Sequence, residues 1–265
     1  MAENMEFVGR AIATYIQQTL QIPTQFVDDV PWPERERRFD QGEIQVCWIC
    51  GLPYVWKADQ PLAAIELLAA PVMQGGRYAD RPVYFSDVVV RRDSRFQLFE
   101  QLRGASWAYN EPRSHSGCYI TRYHLATLGE TGDFFGRVVE SGAHQVSLRL
   151  VLEGAVEASA IDSTVLELEL RRHPDLAAQL RVLEHLGPSP IPPWLVSTQV
   201  PAELRSRLRA VLLHMERDPQ GQAILAASGM ARFVSVSDRD YDPIRHMAQV
   251  ADRVSFSPAS NQQRL

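Results

Sequence analysis

The chain has little basic character. Its 27 lysines and arginines are outnumbered by 32 acidic residues, the net charge is −5, and Lys57 is the sole lysine. A mildly acidic surface argues against non-specific nucleic-acid or membrane binding, both of which favour a basic face. No apolar run approaches the ~18 residues of a membrane span. The N-terminus "MAENMEFVGRAIATYIQQTL" lacks the basic n-region and apolar core of a signal peptide, so the chain as written is expected in the cytoplasm. Three cysteines cannot all pair within the chain and imply no disulfide framework. What is present is an ordinary globular composition, 45% hydrophobic and 22% charged. Its 265 residues suffice for one large domain or two modest ones.

Along the chain, strand and helix patterns alternate. A helix is expected near 5–20, with Phe7, Ile12, Tyr15, Ile16 and Leu20 along one side. Short strands are expected at "PTQFVDD" and "EIQVCWIC"; "PLAAIELLAA" fits either a helix or a buried strand. Further on, the strands "PVYFSDVVVR", "ASWAYNE", "GRVVESG" and "VEASAID" interleave with the helices "SHSGCYITRYHLATLG", "HQVSLRLVLEG" and "STVLELELRRH". Alternation with short connections predicts a mostly parallel sheet covered by helices on both faces. Four prolines within 188–193 then interrupt the rhythm, since they fit neither a helix interior nor a central strand. Helices follow at "PAELRSRLRAVLLHMER", at "DPQGQAILAAS" and from about Tyr241 to Val254, and the tail "SPASNQQRL" is expected to be disordered.

The stretch "CWICGLPYVW" carries a C-x-x-C pair, Cys47 and Cys50. A redox pair of that spacing has its first thiol at a helix start, where the dipole lowers the pKa. Here both cysteines fall in a strand-like run, which sends them to opposite faces, and no second ligand pair for zinc follows. They are expected to be buried and inert, with no metal bound. The turn after them would deliver Gly51, Pro53 and Tyr54 to the carboxyl edge of a sheet, where open α/β proteins bind ligands. The alternative is a plain strand-to-loop turn.

Three later junctions repeat one arrangement. "NEPRSHSG" places Ser114, His115 and Ser116 at a helix start, where hydroxyls, an imidazole and free backbone N–H groups suit an anion. Ordinary capping by one serine is the competing reading. "ESGAHQVSL" puts His144 near the next helix start, and "SAIDST" puts Asp162 and Ser163 at a third. Each of these also fits capping or packing. An acidic residue at an anion site suits a ligand that is protonated or that carries an amine.

Taken in order, these segments resemble the phosphonate-binding family of periplasmic ligand-binding proteins, the receptors of phosphate, phosphite and phosphonate ABC transporters. The likeness covers nearly the whole chain and is best at "GLPYV", "RPVYFSDVVVRRDS", "LRGASWAYNEPRSHSGCYITRYHL", "FFGRVVESGAHQVSLRLVLEGAVEASAIDS" and "LRVLEHLGPSPIPPW". The resemblance implies a seat for phosphonate oxygens at Ser114, His115, Ser116 and Gly117, with His115 where the family's S-T-S-G turn has threonine. It also implies ligand contacts by His144, by Asp162 with Ser163, and by Tyr54 and Tyr84. It implies an α/β, two-lobe, type II periplasmic-binding-protein fold with two crossover strands. "VYFSDVVVR" and "LRVLEHLGPSP" are the crossings, residues 1–90 with 186–265 form lobe 1, and 91–185 form lobe 2. The family's usual first strand, and any signal peptide, have no counterpart before "AEN".

The function implied is capture of a small phosphorus oxyanion or organophosphonate and its delivery to an ABC transporter permease. No cofactor, catalytic residue or nucleic-acid partner is implied, and the family's periplasmic location contrasts with the missing leader. Two other classes fit the same fold: an enzyme using His115, His144 and Asp162 for acid–base chemistry, or a cytoplasmic ligand sensor. No activated nucleophile, metal triad or cofactor fingerprint supports the enzyme.

Overall fold

Val88 and Val89, neighbours in the sequence, sit in two different hydrophobic clusters, and so do Trp107 and Ala108. That is the period-two alternation of a strand covered on both faces. The structure is a computed structural model that describes residues 3–130 and 132–256; the tail at 257–265 lies outside the described residues. The chain divides into two compact units, Glu3–Val83 with Pro190–Asp242, and Tyr84–Ser189 with the chain from Pro243 onward.

The first unit begins with α1 (Glu6–Leu20), whose Val8, Ile12, Tyr15, Ile16 and Leu20 are buried at helical spacing. Next come α2 (Trp32–Asp40), β1 (Val46–Trp48), α3 (Gly51–Ala58) and β2 (Ile65–Met73). "PTQFVDD" forms no regular element, and α2 stands instead in the charged run after it, with Pro33 in its first turn. "GLPY" is not a turn but the start of α3, so Cys50 precedes a helix rather than continuing a strand. "IELLAAPVM" resolves as a strand.

The second unit holds β3 (Val83–Arg91), β4 (Ser106–Tyr109), a π turn (His115–Tyr119) running into α4 (Ile120–Thr127), β5 (Arg137–Glu140), α5 (His144–Leu152), β6 (Ala158–Asp162), α6 (Ser163–Arg172), α7 (Leu176–Gln179) and β7 (Leu180–Pro190). The chain then returns to the first unit with β8 (Trp194–Ser197), α8 (Ala202–Leu213), α9 (Pro219–Ser228) and β9 (Met230–Val234). It ends in α10 (Asp242–Ala251).

The first unit's sheet runs β1-β8-β2-β9, and every adjacent pair is antiparallel. This corrects the mostly parallel sheet expected from the alternation. β8 and β9, four and five residues long, hide in proline-rich or helix-flanking sequence. They enter the sheet antiparallel beside β2. The second unit's sheet runs β5-β4-β6-β3-β7. There β5, β4 and β6 are parallel, as the βαβ rhythm requires, and β3 joins β6 antiparallel. β7 is an edge strand, which accommodates Pro188 and Pro190 at its end.

The division falls between Val83 and Tyr84 and between Ser189 and Pro190, against the expected 90/91 and 185/186, and a third boundary follows Asp242. Residues 243–256 group with the second unit, because Met247, Val254 and Phe256 pack on the cluster built around Trp107, Phe134 and Phe135. Apolar burial on that aromatic cluster outweighs sequence proximity to the first unit.

Candidate functional site

Because β5, β4 and β6 are adjacent and parallel, their carboxyl ends share one edge of the sheet, and each leads into a helix start. Three helix N-termini therefore serve one edge, each with the positive end of a peptide dipole array.

After β4, the chain turns at Asn110 and enters the π turn. Ser114 caps it, its Oγ accepting from Gly117 N–H at 3.0 Å. Cys118 N–H and Tyr119 N–H both donate to Ser114 O, the widened pattern of a π turn. Gly117 is required by contact: a Cβ there would lie 1.9 Å from Asn110 Oδ1 and 3.3 Å from Asn110 N. After β5, Gly142 adopts φ +85° and donates its N–H to Asn110 O at 2.7 Å, which ties the first two junctions together. Ala143 at the head of α5 has no capping side chain, so the N–H groups there are not taken by a side chain of the cap. After β6, Asp162 caps α6, accepting from Thr164 N–H at 2.8 Å and from the Thr164 hydroxyl at 2.7 Å.

Side chains from these junctions meet. Ser116 Oγ lies 3.1 Å from His144 Nε2, and His115 Nε2 lies 2.9 Å from Ser189 Oγ on β7. The Tyr84 ring on β3 is 6.4 Å from the His115 ring, and Phe85 N–H donates to Ser163 Oγ at 3.1 Å. Burial holds both imidazoles uncharged: the pKa of His115 is pushed down to about 4 and that of His144 to about 3. Burial acts oppositely on Asp162, raising its carboxyl to about 6 against the lowering effect of the Thr164 and Val165 hydrogen bonds. The edge thus offers hydroxyls, neutral imidazoles and backbone N–H groups around one buried acid. Such an arrangement suits holding an oxyanion by directed hydrogen bonds. Among the described residues no cluster of His, Cys, Asp and Glu is arranged to hold a metal ion.

Six of the seven residues expected at the site, Tyr84, Ser114, His115, Ser116, His144 and Asp162, belong to the second unit and gather at this edge. Tyr54 belongs to the first unit. It is buried in α3, donates its hydroxyl to Asp238 Oδ1 at 2.8 Å, and sets its ring edge-on to Tyr241 at 4.7 Å. Sequence reasoning passed over Ser189, Asn110 and Thr164. Thr164 follows directly on a recognised cap. Asn110 stands at the head of the quoted junction, and its fit against Gly117 is the signal a reader could have used. Ser189 pairs with a residue 74 positions away and sends no local signal.

Comparison with known proteins bears on this arrangement. The profile of a family described as "ABC transporter, phosphonate, periplasmic substrate-binding protein" matches residues 3–241. The phosphonates-binding periplasmic protein of Escherichia coli (strain K12) is 21% identical over 212 residues, covering 78% of this chain and 61% of that protein. The chain therefore spans about three fifths of the length of that curated relative. Among solved structures, a binding protein component of an ABC phosphonate transporter from Pseudomonas aeruginosa superposes with a TM-score of 0.81 at 18% identity, covering 95% of this chain and 83% of that one. PhnD1 from Prochlorococcus marinus (MIT 9301), solved in complex with methylphosphonate, gives 0.79 at 16% identity, covering 95% and 94%. An arginine transport system periplasmic binding protein from Legionella pneumophila, at 0.57 and 13% identity over 83% and 87%, shares the same general architecture. These likenesses fit a type II periplasmic-binding-protein fold, and the profile match over nearly the whole chain places it in a family: the chain belongs to the periplasmic substrate-binding proteins of phosphonate ABC transporters.

Proposed function

We propose that this chain binds a small phosphorus oxyanion or organophosphonate at the carboxyl edge of the second unit's sheet and hands it to an ABC transporter. The carrying observation is the convergence of three helix starts, at Ser114, Ala143 and Asp162, on one edge of adjacent parallel strands. A tetrahedral oxyanion has several acceptor oxygens, and helix-start N–H groups with serine hydroxyls are donors of matching geometry. The names of the relatives support the ligand class, since one is called phosphonates-binding and another was solved with methylphosphonate.

Binding without catalysis is the reading the site favours. His115 and His144 are held neutral, and both spend Nε2 on a serine hydroxyl. The proposed location is the periplasm, that of the family. In this assignment Ser114 shapes the turn, Ser116 and His144 hold one ligand oxygen between them, and Asp162 and Tyr84 close the seat.

Isothermal titration calorimetry against phosphate, phosphite, methylphosphonate and aminoethylphosphonate tests the proposal. At least one should bind with Kd well below about 1 mM, a modest −4.1 kcal/mol that the hydrogen bonds of such a seat readily exceed. Failure of all four to bind would refute it.

A further inference from the structure

The C-terminal segment contacts the supports of the seat without supplying any of its residues. Residues from Pro243 onward group with the second unit, and Met247, Val254 and Phe256 pack on the Trp107 cluster. Apolar burial explains that packing. It does not explain where the segment's other contacts fall, each of them one step from a seat element.

The first contact is made by α10. The Ser189 hydroxyl is directed at Met247 Sδ, 3.8 Å away, and a thioether only accepts. Ser189 Oγ is then free to accept from Nε2–H of His115 at 2.9 Å. The second contact is Arg122, on α4 just beyond the π turn. Its side chain is only 14% exposed; its Nε donates to Val254 O, and it pairs with Asp252 Oδ1 at 3.4 Å. The guanidinium lies 4.5 Å over the Tyr119 ring. Burial raises the Cys118 thiol to about 12 and raises the Tyr119 phenol as well, and Arg122 opposes both shifts from beside the last two residues of the turn. Those same two residues donate their N–H groups to Ser114 O and so close the turn that carries Ser116. The third contact is Phe256, whose ring is 5.5 Å from Tyr109 and 6.0 Å from Phe135. Tyr109 ends β4 and precedes Asn110, which accepts from Gly142 N–H and packs on Gly117.

A π turn is a rare, widened form of helix that needs its surroundings to hold it. Relaxing it by one residue into the α form would rotate Ser116 about the axis of α4 by about 100°. A planar guanidinium with several donors, stacked on a ring, can fix two chain segments at once. We propose that Arg122 is a positioning residue for the ligand, clamping Asp252–Phe256 against the π turn so that Ser116 and the turn's N–H groups keep their binding geometry. The C-terminal segment is thereby a brace of the seat, touching no ligand yet setting the affinity. This rests on the placement of the ligand in the proposed function and goes beyond it in giving a role to residues outside the seat.

The test is calorimetry of the whole protein with the four ligands named above, read on those that bind the wild type, with urea denaturation of each unliganded variant alongside. Arg122→Ala should weaken binding about tenfold, within the range by which residues outside a site alter its affinity. Arg122→Lys keeps a cation and a donor but not the planar fork, and should recover part of that loss. Phe256→Ala, at the far end of the brace, should weaken binding by about threefold or more. Arg103→Ala is the control: Arg103 lies 4.9 Å over Phe134 in the same unit and pairs with Glu130, and its loss should leave affinity within about twofold. A merely structural role would not couple Arg122 to Ser116, whereas action through the turn does. In a Ser116→Ala background, Arg122→Ala should therefore cost about threefold or less in place of tenfold. A folded Arg122→Ala that binds within twofold of the wild type, or that costs its full tenfold on top of Ser116→Ala, would overturn this inference and leave the proposed function standing. A wild type that binds none of the four ligands overturns both. If Arg122→Ala does not fold, Arg122→Lys and Phe256→Ala decide, and wild-type affinity in both overturns the brace.

Discussion

Ser116→Ala is the substitution that most directly probes the seat. Ser116 is buried and its Oγ is hydrogen-bonded to His144 Nε2 at 3.1 Å. Two effects follow from removing that oxygen. In the free protein, His144 loses the one hydrogen-bond partner it has among the described residues, where its Nδ1 has none, and a buried imidazole is left without hydrogen bonds to them. An orphaned buried polar group costs about 1–3 kcal/mol. In the complex, the ligand loses either the Ser116 hydroxyl or the His144 N–H that the hydroxyl orients. A hydrogen bond to a charged group contributes about 1.5–3 kcal/mol, so affinity should fall about ten- to a hundredfold. Calorimetry with methylphosphonate gives the second quantity and urea denaturation of the unliganded protein gives the first. Ser114→Ala provides the contrast, since Ser114 Oγ is committed to Gly117 N–H at 3.0 Å. It should cost about 1 kcal/mol of stability, as lost N-caps do, with the smaller effect on affinity. Unchanged binding by Ser116→Ala, or a larger affinity loss in Ser114→Ala, would refute the assignment of roles.

Gly117→Ala should disrupt the seat more than either serine variant, because its Cβ would overlap Asn110 Oδ1 and approach the Asn110 backbone; thermal unfolding should shift down and phosphonate binding should be lost, and an unperturbed variant would show that the turn has slack. The pH dependence of stability follows from the two histidines. Their folded pKa values lie below the ordinary value of 6.5, so their contribution is present above that pH and is lost as pH falls toward about 4 and then about 3. Asp162, raised to about 6, works the other way: its contribution is full below 3.8 and is lost as pH rises through 6. With two histidines against one carboxyl, the melting temperature should drop between pH 6.5 and 4, and less so in His115→Gln/His144→Gln; equal drops would remove the histidines as the cause. Burial pushes the Cys47 thiol up, and Cys47 and Cys50 are unbridged. Both are half-buried rather than fully buried as expected; native protein should still alkylate at Cys47 only slowly at pH 8, and rapid modification would contradict the raised thiol pKa.

The parts of this protein legible in one dimension are those whose causes are local. Helix α1 follows from apolar spacing, the start of α6 from an Asp-Ser-Thr cap, and β3 from a run of valines and aromatics. The three strand-to-helix junctions at Ser114, His144 and Asp162 were readable because capping chemistry and free N–H groups lie within a few residues of each other. Local rules failed where two local readings compete. "GLPY" satisfies both a turn and a first helical turn, and the packed burial of Leu52, Tyr54 and Val55 selects the helix. "IELLAAPVM" fits helix or strand, and its pairing with β8 and β9 makes it a strand.

The antiparallel order β1-β8-β2-β9 rests on hydrogen bonds between segments more than a hundred residues apart, such as Val46 opposite Val196. No periodicity in either segment encodes that partner. The same holds for Ser189, brought to His115 by the return of β7, and for residues 243–256, drawn to the second unit by the Trp107 cluster. Protonation belongs to this second class as well. A histidine or an aspartate in a sequence carries only its ordinary pKa, whereas the neutrality of His115 and His144 and the raised carboxyl of Asp162 come from desolvation, a property of the packed interior. The sequence therefore names six of the side chains that stand at the edge, and only the tertiary burial around them decides the charge of those that titrate.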